Sequence, residues 1–200
     1  MFIAHRGLYN EKIRENSISA FDKAFREGYD AIELDVRLTK DNIPVVIHDS
    51  FLSRVSDGVG LVKNYTYEEL TKFNIGIDTI ERIPKLTDVL NRYHNHIIFI
   101  ELKEKIDILP YLNQNNTYYI SSFHYDYIKD IPKSNYYKIG VINYVLNNKI
   151  NLNRIDFIMI LDSIINDKLI KKYRNKNIEV VVYGVGKKIN KYYEDLKYMF

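Results

Sequence analysis

Short apolar, β-branched runs recur along the chain with amphipathic or polar stretches between them, the pattern of strands alternating with helices. The strand candidates are Phe2–His5, Ala31–Leu38, Pro44–His48, Ile97–Lys103, Thr117–Ser121, Lys138–Ile142, Phe157–Leu161 and Glu179–Tyr183. Several are nearly continuous in Ile and Val, as expected of parallel strands covered on both faces. Helix signals fill the gaps. Ser19 with Asp22 makes a capping pattern, Phe21, Ala24 and Phe25 form one apolar face, and Gly28 stops the helix. Thr66 with Glu69 repeats the capping pattern before a short helix ending near Phe73. Pro84 precedes a helix carrying Leu86, Val89, Leu90 and Tyr93, and Asp162–Asn175 and Lys187–Met199 read as further amphipathic helices.

One connection differs from the rest. Only Thr39–Ile43, with Lys40-Asp41-Asn42 at its tip, separates Asp35-Val36-Arg37-Leu38 from Val45-Val46-Ile47-His48. A parallel crossover needs about a dozen residues or more, so these two segments form an antiparallel hairpin. With that arm set aside, seven core strands alternate with helices, which points to a (β/α) barrel or a doubly wound sheet. Residues 50–82, marked by Gly58, Gly60 and Gly76, read as an irregular insertion between a strand and the next helix. The chain, 1–200, reads as a single α/β domain.

Composition narrows the function classes. The 200 residues are 46% hydrophobic and 28% charged, ordinary for a globular chain. With no cysteine, a disulfide framework, a thiolate metal site and a cysteine nucleophile are all excluded. A net charge of +3 makes no demand for nucleic acid or an anionic membrane. No apolar run is long enough to span a bilayer, so stable membrane insertion is not expected. The opening residues lack the apolar stretch of a signal peptide, and the expectation is a cytoplasmic protein.

In such folds ligands bind at the C-terminal ends of the parallel strands, so charged residues there invite a chemical reading. The first strand ends in His5-Arg6-Gly7, the second holds Glu33-Leu34-Asp35, the hairpin returns to His48-Asp49, and the fourth ends in Glu101-Leu102-Lys103. Glu33 and Asp35, two apart on a strand, share a face. With Glu101 they form a hard, oxygen-rich site suited to Mg²⁺ or Ca²⁺ rather than zinc. The bland alternative is exposed acids, or ion pairs with Arg37 and Lys103. Convergence of three acids and two histidines at strand ends favours a site. His5 and His48 can shuttle protons near neutral pH, and extending the hairpin from its tip puts His48 roughly opposite Asp35. Arg6 and Lys103 are the cations that could hold an anion beside the metal, with salt bridges to Glu15 or Glu101 as the compatible structural role. His94, His96 and His124 have no such company and read as ordinary packing or surface residues. A metal, two acid/base groups and two phosphate clamps are what phosphodiester cleavage requires.

The ordered set resembles the glycerophosphodiester phosphodiesterase family. The matching residues are Ala4-His5-Arg6-Gly7, Glu15-Asn16-Ser17 with Ala20-Phe21, Glu33-x-Asp35-Val36 with Thr39-Lys40-Asp41, and Val45-Val46-x-His48-Asp49. Leu52, Arg54, Gly58 and Gly60 continue the pattern, Pro84-x-Leu86 and Glu101-x-Lys103 extend it, and Ser122-Phe123 is a weaker match. The likeness is dense from residue 3 to 103 and thin afterwards. It implies a TIM (β/α) barrel of the phosphatidylinositol-phosphodiesterase type, with Glu33, Asp35 and Glu101 as ligands of a divalent cation, Mg²⁺ or Ca²⁺. It also implies His5 and His48 as the acid/base pair, Arg6 and Lys103 on the phosphate, and Glu15 and Asn16 close behind them. The implied substrate is a small glycerophosphodiester, cleaved to glycerol 3-phosphate and an alcohol.

Two departures from the family pattern stand out. A Trp-Thr-Val-Asn-like stretch on the seventh strand is replaced by Tyr183-Gly184-Val185-Gly186, leaving Tyr183, with Phe123, as a pocket candidate. The family's closing strand has no visible counterpart, so the expectation is a short barrel, incomplete at the C-terminus and either open or closed by something unusual. Two other function classes remain. One is a phospholipase- or sphingomyelinase-like lyase, favoured if Phe51, Leu52, Val55, Val59, Leu61 and Val62 form exposed apolar loops. The other is a non-catalytic degenerate barrel that binds phosphodiesters. The basic stretch Lys168, Lys171, Lys172, Arg174, Lys176, continued by Lys187, Lys188 and Lys191, reads as a solvated face rather than a nucleic-acid site.

Overall fold

A computed structural model describes residues 1–143, 150–185 and 196–200. Eight parallel strands close into a barrel: β1 (Phe2–Ala4), β2 (Ala31–Leu38), β4 (Ile97–Leu102), β5 (Thr117–Ser122), β6 (Tyr137–Asn143), β7 (Phe157–Leu161), β8 (Glu179–Tyr183) and β9 (Lys197–Met199). β3 (Pro44–Val46) lies outside this ring as the antiparallel arm of the expected hairpin, with Val36 opposite Val46 and Leu38 opposite Pro44. Strand ends fall within two residues of the expected ones.

Alternation along the strands sorts the side chains into two layers. Ile32, Leu34, Val36, Ile98, Ile100, Val141, Ile158, Val180 and Tyr198 face outward and pack under the helices. Ile3, Ala31, Phe99, Tyr119, Phe157, Met159, Val181 and Met199 fill the barrel interior. Phe99 stacks on Tyr119 at 4.3 Å, and Phe157 meets both edge-on. Gly140 of β6 makes room for that cluster, since a Cβ there would lie 2.5 Å from the Phe157 ring. Below the belt Glu179 accepts hydrogen bonds from Lys138, from Lys197 Nζ at 2.7 Å and from the Tyr119 hydroxyl at 3.2 Å. The interior is thus ionic at the bottom and apolar in the middle, which leaves the upper end for chemistry.

Helices α1 (Ile18–Arg26), α2 (Tyr67–Leu70), α3 (Leu86–Arg92), α4 (Tyr125–Ile128) and α5 (Asp167–Arg174) cover the outside. The cap of α1 is Ser17, not Ser19. Ser17 is extended and its Oγ accepts from Ala20 N at 3.1 Å, whereas Ser19 already lies in the first turn and gives its N–H to Glu81. Gly28 ends α1 at φ +85° as expected. Thr66 and Glu69 form a full capping box on α2. The expected helix 162–175 is broken, because Asn166 caps α5 by accepting from Leu169 N and leaves only a 3₁₀ turn at Asp162–Ile164. Residues 50–82 carry more order than the expected insertion. Leu52, Val55, Val62, Leu70 and Ile75 join Val45, Ile47 and Ile83 in a separate small core, and Phe51 bridges to Leu61. Of the six candidate lipid-facing residues here, only Phe51 and Val59 are exposed. No helix among the described residues is long and apolar enough to cross a membrane.

The largest correction concerns closure. Residues 187–195 of the expected last helix, with Lys187, Lys188 and Lys191, lie outside the described residues, as does Gly186. Lys197–Met199 is a strand, paired in parallel with β8 through Val182–Tyr198 and with β1 through Ile3–Met199. The reason is the gap between β8 and β1, whose edge backbone groups would otherwise go unpaired. Lys197 and Met199 point inward and Tyr198 outward, a period-two use of a segment too short to announce itself. Tyr198→Ala is therefore expected to cost about 3–5 kcal/mol in urea unfolding, as for a fully buried aromatic. A loss below about 0.5 kcal/mol, the value for an exposed helix position, would contradict the closing strand.

Candidate active site

The parallel register of β2 and β4 sets Asp35 beside Glu101, and Glu33 lies two residues below Asp35 on the same inward face. All three are buried, and one carboxylate oxygen from each falls within 4.8 Å of the others. Lys103, just past the end of β4, contacts Glu101 Oε1 at 2.5 Å and Asp35 Oδ1 at 2.9 Å.

The chain leaves β1 through Arg6 and Gly7, both left-handed at φ +58° and +78°. A Cβ on Gly7 would stand 2.7 Å from Ala20, so glycine lets α1 press against this turn. The turn gives the Arg6 N–H to Glu33 Oε2 at 3.0 Å and brings its guanidinium to Glu15 at 3.0 Å and Asp35 at 3.2 Å. Asn16, left-handed at φ +55°, grips Asp35 twice: its amide donates to Oδ2 at 2.8 Å and its carbonyl accepts from Asp35 N at 3.2 Å. His5 Nε2 stands 3.9 Å from Glu33, and its backbone N–H donates to the carbonyl of Phe200 beside β9. The barrel's closing segment thereby supports His5.

His48 arrives from the other side on the hairpin. Ile47 N–H donates to Asp35 O at 2.9 Å, so the return strand meets the site one residue before His48. His48 Nδ1 pairs with Asp49 Oδ1 at 2.6 Å, and its carbonyl accepts from Arg37 Nε at 2.8 Å. Two side chains that the sequence reading assigned no role complete this wall. Asp49 is the histidine's partner, and Arg54 hydrogen-bonds both Asp49 and Glu15. The signals were an acid directly following His48 and an arginine within the same ordered pattern.

Of the pocket candidates, Phe123 and Tyr183 meet edge-on at 6.3 Å, and Lys103 Nζ sits 5.8 Å over the Phe123 ring. They therefore join the Lys103 side of the mouth. The remaining histidines stay away from it. His96 lies tilted against Phe25 with ring centroids 3.9 Å apart, and His124 precedes α4 beside Tyr127.

The electrostatics follow from crowding acids in a buried place. Burial, with Asp35 and Glu101 alongside, pushes Glu33 well above the usual carboxylate value. Burial and Asp35 push Glu101 up to about 7. Burial alone would raise Asp35 too, but Lys103 and Arg6 outweigh it and hold Asp35 low. Burial and the neighbouring Arg6 lower His5 to about 4, so it is neutral at pH 7. Burial also lowers His48, against the pull of Asp35 and Asp49. Arg54 holds Asp49 down to about 2. Glu15, Glu33, Asp35, Asp49 and Glu101 outnumber Arg6, Arg54 and Lys103 by two charges when all are ionised. That excess, with three carboxylates converging, fits a divalent cation held by Glu33, Asp35 and Glu101.

A model of the glycerophosphoryl diester phosphodiesterase family matches residues 5–118, more than half of the chain. The chain belongs to this family. The glycerophosphodiester phosphodiesterase of Caldanaerobacter subterraneus is 37% identical over 161 residues, covering 71% of this chain and 66% of that protein. The glycerophosphodiester phosphodiesterase of Bacillus altitudinis is 40% identical over 115 residues, covering 54% and 46%. The chain thus spans between about half and two thirds of the length of these relatives. Among solved structures, a phosphodiesterase from Oleispira antarctica, in complex with the product sn-glycerol-3-phosphate, superimposes with a TM-score of 0.80 at 23% identity. That match covers 94% of this chain and 85% of the other, and it shows a shared barrel fold. His5, Arg6, Glu15, Asn16, Glu33, Asp35, His48, Glu101 and Lys103 lie within the family match, whereas Phe123 and Tyr183 lie beyond it.

A cation held by Glu33 and Glu101 would compete with protons there, since burial favours the neutral form of both acids. Because both groups lie above the carboxylate range in the metal-free chain, affinity for Mg²⁺ or Ca²⁺ is expected to rise with pH through about 7. Calorimetry in two buffers of different ionisation enthalpy measures the released protons. Binding without proton release at pH 6 would contradict this electrostatic account.

Proposed function

We propose that this protein hydrolyses glycerophosphodiesters to glycerol 3-phosphate and an alcohol, using a divalent cation, Mg²⁺ or Ca²⁺, and two histidines. The observation that carries this reading is the convergence at one barrel mouth of three buried carboxylates, two histidines and two cations, in a chain of this family. The product seen in the similarly folded Oleispira antarctica enzyme supports glycerol 3-phosphate as the fragment retained here. A small-molecule substrate and a cytoplasmic setting belong to the same reading.

Glu33, Asp35 and Glu101 would hold the cation, which when bound polarises the phosphate and stabilises developing negative charge. Arg6 presents a planar fork and Lys103 a compact charge to the phosphate oxygens. Both are already tethered to the acids, so little ordering remains when substrate arrives. His5 is the base. It is neutral at pH 7, its lowered proton affinity follows from burial and Arg6, and it takes a proton from water or from the neighbouring glycerol hydroxyl. His48 is the acid on the departing alcohol. Asp49 accepts from Nδ1 and, with Asp35, pulls against the burial that lowers His48, favouring the doubly protonated ring whose Nε2 proton goes to the departing alcohol. Phe123 and Tyr183 line the wall next to Lys103, where the organic part of the substrate would pack. The burial of Leu52, Val55 and Val62 weighs against a lipid-docking loop.

Glu33→Ala and His48→Ala are each expected to abolish release of glycerol 3-phosphate from glycerophosphocholine while leaving the circular dichroism spectrum unchanged. Chelation should silence the wild type and added Mg²⁺ or Ca²⁺ should restore it. Turnover in a folded His48→Ala protein would overturn the histidine assignment.

A further inference from the structure

His48 stands beyond the end of β3, where the last ladder bond to β2 is Ile47 N–H to Asp35 O. Its place therefore depends on side chains. Arg37 holds its carbonyl and Asp49 holds its ring. Across the mouth, Arg6 sits on a left-handed turn, and Glu15 shares with Asp35 the direction of its guanidinium. Arg54 is bound to both supports. It donates through Nη1 to Glu15 Oε2 at 3.0 Å and through Nη2 to Glu15 Oε1 at 2.6 Å, while its Nε donates to Asp49 Oδ2. A half-exposed arginine on a surface excursion has no packing reason to order itself so fully, and planar guanidinium is the group that can fork one carboxylate while reaching another.

We propose that Arg54 is a positioning residue that couples the His48 wall to the Arg6 wall, acting through Asp49 on one side and Glu15 on the other. It touches no substrate. Its effect rests on the roles proposed above for His48 and Arg6. With Arg54 in place, Glu15 is shared between two guanidinium groups and Asp49 keeps its second oxygen occupied, so the rotamers of both carboxylates are set. Without it, Asp49 is free to turn away from Nδ1 and Glu15 is free to draw Arg6 out of line, so both sides of the mouth lose alignment together.

The test compares kcat and KM of wild type, Arg54→Ala, Arg54→Lys, Asp49→Asn and the double variant Arg54→Ala/Asp49→Asn on glycerophosphocholine with saturating Mg²⁺ or Ca²⁺. Arg82→Ala serves as the control, because Arg82 is on the same excursion and, among the described residues, its side chain hydrogen-bonds only Lys72 O. Arg54→Ala is expected to lose about 100-fold, chiefly in kcat, the cost of a small misplacement of reacting groups. Lysine cannot fork Glu15 and reach Asp49, so Arg54→Lys should recover only a minor part. Millimolar guanidinium should restore Arg54→Ala, whereas sodium chloride at equal ionic strength should not. The double variant should fall less than the product of the two single losses, as for residues acting through one network. Melting temperatures accompany each measurement, and if Arg54→Ala does not fold, Glu15→Gln and Asp49→Asn provide the same kcat comparison. Activity of Arg54→Ala within twofold of wild type, or a loss that guanidinium does not restore, would overturn the proposal. Those results alongside an inactive His48→Ala leave the catalytic reading standing, whereas an active His48→Ala removes that reading itself.

Discussion

The site turns on one costly act, the burial of Glu33, Asp35 and Glu101 side by side at the upper end of the barrel. Carboxylates taken out of water this close together resist ionising, and Glu33 and Glu101 are pushed upward as a result. The neighbouring structure reads as compensation. Lys103 bridges Asp35 and Glu101, Arg6 reaches Asp35, and Asn16 takes one oxygen and the backbone N–H of the same residue. With Glu33 and Glu101 ionised as well, the acids outnumber these partners, and that residue of negative charge is what a divalent cation would meet.

The barrel can carry such a cluster because its interior is layered. An ionic knot of Lys138, Glu179 and Lys197 with Tyr119 seals the bottom, and a belt of Phe99, Phe157, Met159 and Val181 fills the middle. Each well-buried side chain of that size contributes about 1.5–3 kcal/mol, so the belt offsets part of what the acids cost. The same belt excludes water from beneath them, which strengthens every charge interaction above it. Closure matters to the chemistry as well as to stability, since β9 is followed by the carbonyl that holds the His5 backbone.

A second division of labour runs around the mouth. Barrel strands β2 and β4 present the acids rigidly, while the residues that would handle protons and phosphate come from the turn after β1, the hairpin arm and the segment past β4. The excursion over 50–82 is well packed on a small core of its own, which gives Arg54 a firm base from which to reach Glu15 and Asp49. A barrel of this shape keeps its acids in the scaffold and carries its other candidate groups on loops, as is general for (β/α) barrels.

Much of this was legible along the chain. Alternation and β-branched runs located eight of the nine strands, because burial on both faces leaves an apolar imprint that local reading detects. The short 39–43 link dictated the hairpin, since chain geometry permits nothing else. The acids, His5, His48, Arg6 and Lys103 were visible because charge at the end of an apolar strand has no packing explanation. Three things were decided only in three dimensions. Lys197–Met199 became a strand because two barrel edges needed a partner, a demand made by residues far away in sequence. The α1 cap moved to Ser17 because the left-handed turn at Asn16 sets which oxygen faces the free N–H groups. Arg54 acquired its place because Glu15 and Asp49, 34 positions apart in the chain, are brought within one guanidinium's reach. Sequence by itself determined the elements and the chemical inventory, since both follow from local pattern and side-chain type. Tertiary structure decided which groups share a charge, because pairing energy depends on distances that only the closed barrel sets.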